Sequence, residues 1–184
     1  MKRVRREELV DWQTFADQRA ALLPRVLAAK ALRRVHVGQH LTFLFENPLT
    51  IRWQIQEMLR TERIVREKDV RHELDTYNEL LGGEGDLGCT LLVEIEDPAD
   101  RAEKLGRWTE LPEHVYVRLA DGRLVRARAD ERQRDERKLS SVQYLVFPVG
   151  GAAPVAVGCD LADARGEHVF TPEQRAALAE DLAA

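Results

Sequence analysis

Three charged residues fall on faces of predicted helices that should otherwise be apolar. In the stretch FENPLTIRWQIQEMLRTERI, a rotation of about 100° per residue places Glu62 at the centre of an apolar face. On the next predicted helix Glu73 falls at the edge of the apolar face, and on the first predicted helix Arg19 falls within it. Because an unpaired buried charge is strongly destabilising, these side chains should either pair with each other or line a solvated pocket.

Two interpretations of this group remain open. In the first, Arg19 and the two carboxylates form a structural ion-pair network. In the second they form a site, in which Arg19 binds an anionic group while Glu62 or Glu73 acts as the catalytic base or as a metal ligand. Gln54 lies on the margin of the face that carries Glu62, and Tyr77 lies one turn from Glu73. They are the candidate substrate-binding residues beside Arg19.

No complete catalytic motif accompanies these residues. The sequence contains no HExxH, GxSxG or Walker A pattern, so it does not directly support a zinc protease, a hydrolase or an NTPase. The glycine-rich run that begins at Gly82-Gly83 follows a predicted helix instead of preceding one, which favours a loop over a phosphate-binding turn. His36 and His40 fall in one predicted strand, where four residues separate them by roughly 13 Å, too far to share a metal ion. The reaction and the substrate therefore stay unassigned.

Composition excludes several other classes of protein. The chain has 184 residues, 44% of them hydrophobic, and its 28 basic residues nearly balance 32 acidic ones. We therefore expect one compact domain and no general nucleic-acid binding, which normally needs a basic surface. The two cysteines, Cys89 and Cys159, lack CxxC spacing and fit a reducing cytosol. No stretch has the pattern of a signal peptide or a membrane span, so we expect a cytoplasmic protein without a membrane partner.

The elements that must position the charged residues are helical in the first part of the chain. Helical periodicity runs from about Arg6 to Leu23, Pro24 interrupts it, and a second helical stretch follows. VHVGQHLTFLFEN alternates as a strand does. Asn47-Pro48 then begins a helix, because Asn can cap free backbone N–H groups and Pro is tolerated at the first helical position. A third helix, DVRHELDTYNELL, ends at Gly82-Gly83.

After these glycines the pattern becomes that of strands. CTLLVEIED predicts a strand, HVYVRLADGRLVRARA a hairpin across Asp121-Gly122, and SVQYLVFPV and APVAVGCD two further strands. DERQRDERK predicts a solvated loop. The sequence thus predicts a single α+β domain over residues 1–184, with a helix-rich N-terminal half (about 1–83) packed on a mostly antiparallel sheet from the C-terminal half (about 84–170). A C-terminal helix should occupy about 172–183.

Several stretches resemble a known bacterial family. RRVHVGQHLTFLFEN, QIQEMLRTERI, ELDTYNELL, CTLLVEIED and SSVQYLVF are similar to the motifs of the domain-of-unknown-function family 3501, whose members are often encoded near rubrerythrin-like and iron–sulfur redox proteins. The resemblance implies an accessory protein of a redox- or iron-linked system, which binds a redox or iron–sulfur protein, or iron or another divalent metal. The alternative is a small enzyme that acts on an anionic small molecule in an Arg/carboxylate pocket between helices.

Overall fold

Helices occupy most of the first part of the chain and strands most of the second, in a computed structural model that describes residues 3–129 and 137–184. The helices are α1 (Trp12–Ala31), α2 (Pro48–Thr61), α3 (Glu67–Asn78), α4 (Pro98–Arg107) and α5 (Pro172–Ala183). The strands are β1 (Arg34–Val37), β2 (Leu41–Phe45), β3 (Leu87–Val93), β4 (Val115–Arg118), β5 (Leu124–Arg126), β6 (Arg128–Ala129), β7 (Val142–Phe147), β8 (Ala156–Cys159) and β9 (Gly166–Val169). The predicted α+β class is confirmed.

The strands form two antiparallel sheets, with orders β1-β2-β3-β7-β6 and β5-β4-β8-β9. The predicted sheet of the C-terminal half is therefore divided in two, and β1 and β2 join it from the N-terminal half. Both sheets contribute to one apolar core, whose buried members include Phe43, Phe45, Leu91, Val117, Leu145, Phe147 and Val157. Of the predicted loop DERQRDERK, residues 130–136 lie outside the described residues.

The stretch predicted as one long strand is a hairpin. Gly38 has a φ of +61°, a left-handed conformation that Gly adopts without steric cost, and the chain turns there between β1 and β2. As a result His36 and His40 do not share a strand face. His36 Nδ1 lies 2.7 Å from the Thr42 hydroxyl, whereas His40 Nδ1 lies 3.3 Å from the backbone carbonyl of Glu94.

Helix α1 runs through Pro24, where the sequence predicted an interruption. A proline inside a helix removes a backbone hydrogen bond, but buried side chains on both sides of it, Phe15 and Val26, pack in one apolar cluster with Trp53. This packing offsets the cost of the hydrogen bond that Pro24 removes. The helix also begins later than predicted, at Trp12.

Two small apolar clusters hold the N-terminal helices together. One lies between α1 and α2 and consists of Phe15, Val26 and Trp53, with Leu22, Leu23 and Leu49 beside it. The other lies between α2 and α3 and includes Ile51, Ile55, Leu59, Val70, Leu74 and Leu81, with Val4 and Leu9 from the N-terminal segment. Because α2 belongs to both clusters, its side chains are buried on more than one side.

Candidate functional site

Arg19 does not reach the carboxylates that the sequence predicts for it. Its Nε lies 2.6 Å from Oε1 of Glu57, and its guanidinium stacks over the Trp53 ring at 5.5 Å from the ring centroid. Glu57 also accepts a hydrogen bond of 2.9 Å from Nη2 of Arg60. The predicted ion-pair network of Arg19 with Glu62 and Glu73 is therefore wrong. The carboxylate that pairs with Arg19 is that of Glu57.

Glu62 lies just beyond the end of α2, where it is exposed. The helix ends because Arg63 takes a left-handed φ of +51°, after which the N–H of Ile64 bonds the carbonyl of Leu59. Glu62 was predicted on an apolar face because helical periodicity was extended beyond Thr61, where α2 ends. Along residues 3–129 and 137–184, neither Glu62 nor the half-buried Glu73 forms an ion pair.

The other predicted residues do gather where α2 meets α3. The Gln54 amide acts on the Tyr77 hydroxyl from α2, and the Glu73 and Glu62 carboxylates act on the same phenol through their charge. Burial raises the pKa of Tyr77, the hydrogen bond from Gln54 lowers it, and the two nearby carboxylates raise it further. Gln54, Glu62 and Glu73 thus all influence the Tyr77 phenol, whereas Arg19 is not among the groups that do. Their catalytic or binding role stays a prediction.

A pocket lies between α1 and α2, next to the ion pair of Arg19 and Glu57. Its volume is about 190 Å³, and its apolar lining consists of Phe15, Leu22, Val26, Leu49 and Trp53. The rings of Phe15 and Trp53 meet edge to face, with centroids 5.3 Å apart. Packed aromatic rings of this kind form a rigid apolar wall, which can hold a ligand of matching shape.

Two arginines line the same pocket, and they carry its charge. Arg52 is half-buried and Arg25 is exposed. Within the described parts of the chain, neither guanidinium has a hydrogen-bond or ion-pair partner, in contrast to Arg19 and Arg60, which share Glu57. A guanidinium presents parallel N–H donors that match a carboxylate or a phosphate group. The pocket can therefore hold an anion beside an apolar surface.

The N-terminal segment supplies a further wall of the pocket through Glu8 and Val10. Gln56 from α2 holds this wall in place, because its Oε1 accepts from the Val10 N–H at 2.7 Å and its Nε2 donates to the Val10 carbonyl at 3.1 Å. The Glu8 carboxylate accepts from the backbone N–H of Arg5 at 2.7 Å. The polar groups of this wall are thus largely bonded within the protein.

Glu46 forms a second polar cluster, at the start of α2. Its side chain is buried and accepts hydrogen bonds from the hydroxyls of Thr50 at 2.5 Å and Thr90 at 2.7 Å. Burial raises the pKa of Glu46, and the two hydrogen bonds lower it in part. Because both carboxyl oxygens are bonded inside the protein, we interpret this cluster as structural.

The sequence did not identify the pocket arginines. The helical projection places Arg52 and Gln56 on the solvated side of α2, opposite the apolar stripe of Ile51 and Ile55. In the structure Gln56 is buried and Trp53 is 8% exposed. The signal that could have corrected this assignment is Trp53 itself, a large apolar residue next to Arg52 that needs a second buried face.

Fold and pocket together define a two-sheet α+β protein with a small, partly apolar pocket between its first two helices. The chain belongs to the DUF3501 family of proteins of unknown function, which matches residues 3–182. It is similar to the crystal structure of a novel protein of unknown function from Burkholderia pseudomallei K96243, with 34% sequence identity and a TM-score of 0.90 over 98% of this chain and 100% of that chain. No curated protein matches the chain. In the part of the chain that the structure describes, no helix is long and apolar enough to cross a membrane.

Proposed function

We propose that this protein binds a small anion with an apolar body in the pocket between α1 and α2. The observation that carries this proposal is the pair Arg25 and Arg52, which line an apolar pocket and have no partner among the described residues. An anionic group would complete their hydrogen bonding, while the rings of Phe15 and Trp53 would contact the apolar body. The Arg-lined pocket expected between helices is thus assigned to Arg25 and Arg52 instead of Arg19.

The size of the pocket limits the ligand. Its volume of about 190 Å³ is below the range of roughly 300–1,000 Å³ that is usual for drug-sized ligands. A small anion with one ring or a short aliphatic chain matches this volume. We therefore propose an aromatic or aliphatic carboxylate, or a phosphate ester of similar size.

Binding without turnover is the better supported version of this proposal. Glu62 and Glu73, the candidate catalytic residues, lie with Gln54 and Tyr77 at the contact of α2 with α3, and none of the four lines the pocket. An enzyme would need an acid or base within hydrogen-bonding reach of the ligand. Glu8 is the acidic residue of the pocket lining, and the N–H of Arg5 already bonds it.

A second proposal follows from the family. It is an accessory role in a redox- or iron-linked system, in the cytoplasm, with a redox or iron–sulfur protein as partner and iron or another divalent metal as ligand. Within residues 3–129 and 137–184 no three His, Cys, Asp or Glu side chains are grouped so that they could hold a metal ion. The geometry therefore favours the anion pocket. Stoichiometric iron in protein purified without chelators would favour the accessory role instead.

The test of the pocket is calorimetric titration of the protein with benzoate, hexanoate and phenyl phosphate, each compared with its neutral analogue, namely benzamide, hexanol and phenol. We expect the anions to bind and the neutral compounds to bind at least about tenfold more weakly, since a charge-assisted hydrogen bond contributes about 1.5–3 kcal/mol. Arg52→Gln and Arg25→Gln should each weaken anion binding by a similar factor. Arg175→Gln, at an exposed position on α5, is the matched control and should change nothing.

Two results would overturn the proposed function. The first is the absence of binding for all three anions. The second is equal binding of each anion and its neutral analogue, which would show that the arginines take no part.

A further inference from the structure

Residues Val4 to Val10, here called the arm, lie against α2 and α3 as a bound peptide would. Asn78 of α3 accepts from the Val4 N–H through Oδ1 and donates to the Val4 carbonyl through Nδ2, both at 2.9 Å. Gln56 of α2 makes the same pair of bonds with Val10. Each amide side chain thus satisfies both backbone groups of one arm residue, as a neighbouring strand would.

Between these two clamps the arm places two apolar side chains in the contact of α2 with α3. Val4 is 4% exposed and Leu9 is 5% exposed, and both pack with Ile55, Leu59 and Leu74. At the surface, Nε of Arg6 lies 3.0 Å from Oε2 of Glu67. Without the arm, the apolar groove between the two helices would face solvent.

The arm and the pocket share structural parts. Val10 and Glu8 of the arm are walls of the pocket, and Gln56, which also lines the pocket, clamps Val10. A ligand in the pocket therefore contacts the docked arm. A molecule whose arm is released has lost one wall of the pocket.

We propose that the arm is a latch controlled by the pocket. Occupancy of the pocket keeps the arm docked, and release of the arm both empties the pocket and opens the groove between α2 and α3. This inference rests on the proposed function and adds its regulation. Since the docked state binds the ligand better than the released state, ligand binding and arm docking must favour each other by the same factor.

The contacts of the arm suit such a role. Chain segments that are held by few buried contacts open at lower free energy than the core of the protein. The arm is held by two buried apolar side chains, two amide clamps and one exposed ion pair. The affinity for a pocket ligand is reduced by the fraction of molecules whose arm is released.

The experiment measures hydrogen–deuterium exchange of the arm in the full chain, with and without saturating benzoate, together with the benzoate affinity of variants. In the wild type, benzoate should slow exchange at the Val4 and Val10 amides at least about threefold. Asn78→Ala removes the clamp that lies away from the pocket, and should speed arm exchange about tenfold and weaken benzoate binding by the factor by which the docked fraction falls. Thr76→Ala, at an exposed position on the same helix, should change neither quantity.

Failure of the latch and failure of the pocket give different results. If benzoate binds the wild type but leaves exchange at the Val4 and Val10 amides unchanged, the latch is refuted and the pocket stands. If the wild type binds no anion, both proposals are overturned. Should Asn78→Ala fold poorly, Val4→Ala can replace it, since it shortens only the buried Val4 side chain of the arm. Arm exchange and benzoate affinity are then measured in the same way, with smaller expected changes.

Discussion

Arg33 and Asp181 form a buried, two-pronged ion pair although 148 residues separate them in the sequence. Nε of Arg33 lies 2.6 Å from Oδ2 of Asp181, and Nη2 lies 2.9 Å from Oδ1. Asn47 donates a further hydrogen bond of 3.2 Å to the same carboxylate, and its own Oδ1 caps α2 by accepting from the Thr50 N–H. The pair therefore fixes α5 to the start of β1 and to the start of α2.

Asp181→Ala should lower the free energy of unfolding by roughly 3–5 kcal/mol, because it leaves the Arg33 guanidinium buried without a counter-charge. Urea denaturation followed by circular dichroism measures the change. Glu180→Ala, at the exposed neighbouring position, should stay within about 0.5 kcal/mol of wild type. The double variant Arg33→Met/Asp181→Leu should be more stable than Asp181→Ala, since it removes both charges. A cost below 1 kcal/mol for Asp181→Ala would contradict the buried pair, since it would mean that the pair adds about as little as an exposed one.

Gly88 and Gly106 should respond to alanine in opposite ways. A Cβ at Gly88 in β3 would lie 1.7 Å from the backbone carbonyl oxygen of Leu80, so the turn that follows α3 would have to move. Gly88→Ala should therefore destabilise the protein by several kcal/mol. A Cβ at Gly106 in α4 would meet nothing within 4 Å, so Gly106→Ala should raise the free energy of unfolding by up to about 1 kcal/mol. Denaturation midpoints of the two variants measure these changes. An unchanged midpoint for Gly88→Ala would refute the close approach of Gly88 to Leu80.

Local chemistry made parts of the fold predictable from sequence. Asn47 caps α2 with its side chain, as the Asn47-Pro48 pair predicts, and Thr171 caps the α5 helix that was expected at about 172–183. The hairpin of β4 and β5 turns at Asp121-Gly122, with Gly122 at a φ of +88°. In these cases the residues that determine the structure are adjacent in the sequence, so one sequence contains the necessary information.

The site depends on contacts that a helical projection does not contain. Arg19 pairs with Glu57 because α1 packs against α2 at Trp53. This contact between the helices determines which side of α2 is buried. Gln56 looks like a surface residue of an isolated helix, but the arm covers it. Periodicity also gave no sign that α2 stops before Glu62, since Arg63 reaches a left-handed conformation without being a glycine.

Glu46, which is buried, and Glu57, which is half-buried, should show opposite pH dependence when each is changed to glutamine. Burial raises the pKa of Glu46 above its ordinary value of 4.5, so its contribution to stability is present below that value and is lost as the pH rises through the folded-state pKa. Glu46→Gln should therefore gain stability relative to wild type as the pH rises. The hydroxyl of Thr50 can still donate to the carbonyl of Asn47, 3.0 Å away, so the amide is accommodated.

Glu57 provides the matched comparison. Burial raises its pKa, but the hydrogen bonds and charges of Arg19 and Arg60 outweigh burial and lower the pKa below the ordinary 4.5. Its contribution is thus present above that value and is lost as the pH falls through the folded-state pKa. Glu57→Gln should be less stable than wild type at neutral pH, and the difference should vanish in acid. Urea titrations between pH 3 and pH 8 test both variants, and parallel curves would refute the assigned directions.

Substitution of Arg19 should change stability but not anion binding, and substitution of Arg52 should change anion binding but not stability. Arg19 pairs with Glu57 and stacks on Trp53, and its side chain is 40% exposed, so Arg19→Gln should lower the free energy of unfolding by less than about 1 kcal/mol. Its benzoate affinity should stay within about twofold of wild type, because Arg19 does not line the pocket. Arg52→Gln should show the reverse, with unchanged stability and weaker binding. Melting temperature and calorimetric affinity, measured on both variants, test this crossed pattern. If Arg19→Gln loses as much affinity as Arg52→Gln, then Arg19 leaves Glu57 to bind the anion, and the role that the sequence predicts for it is correct.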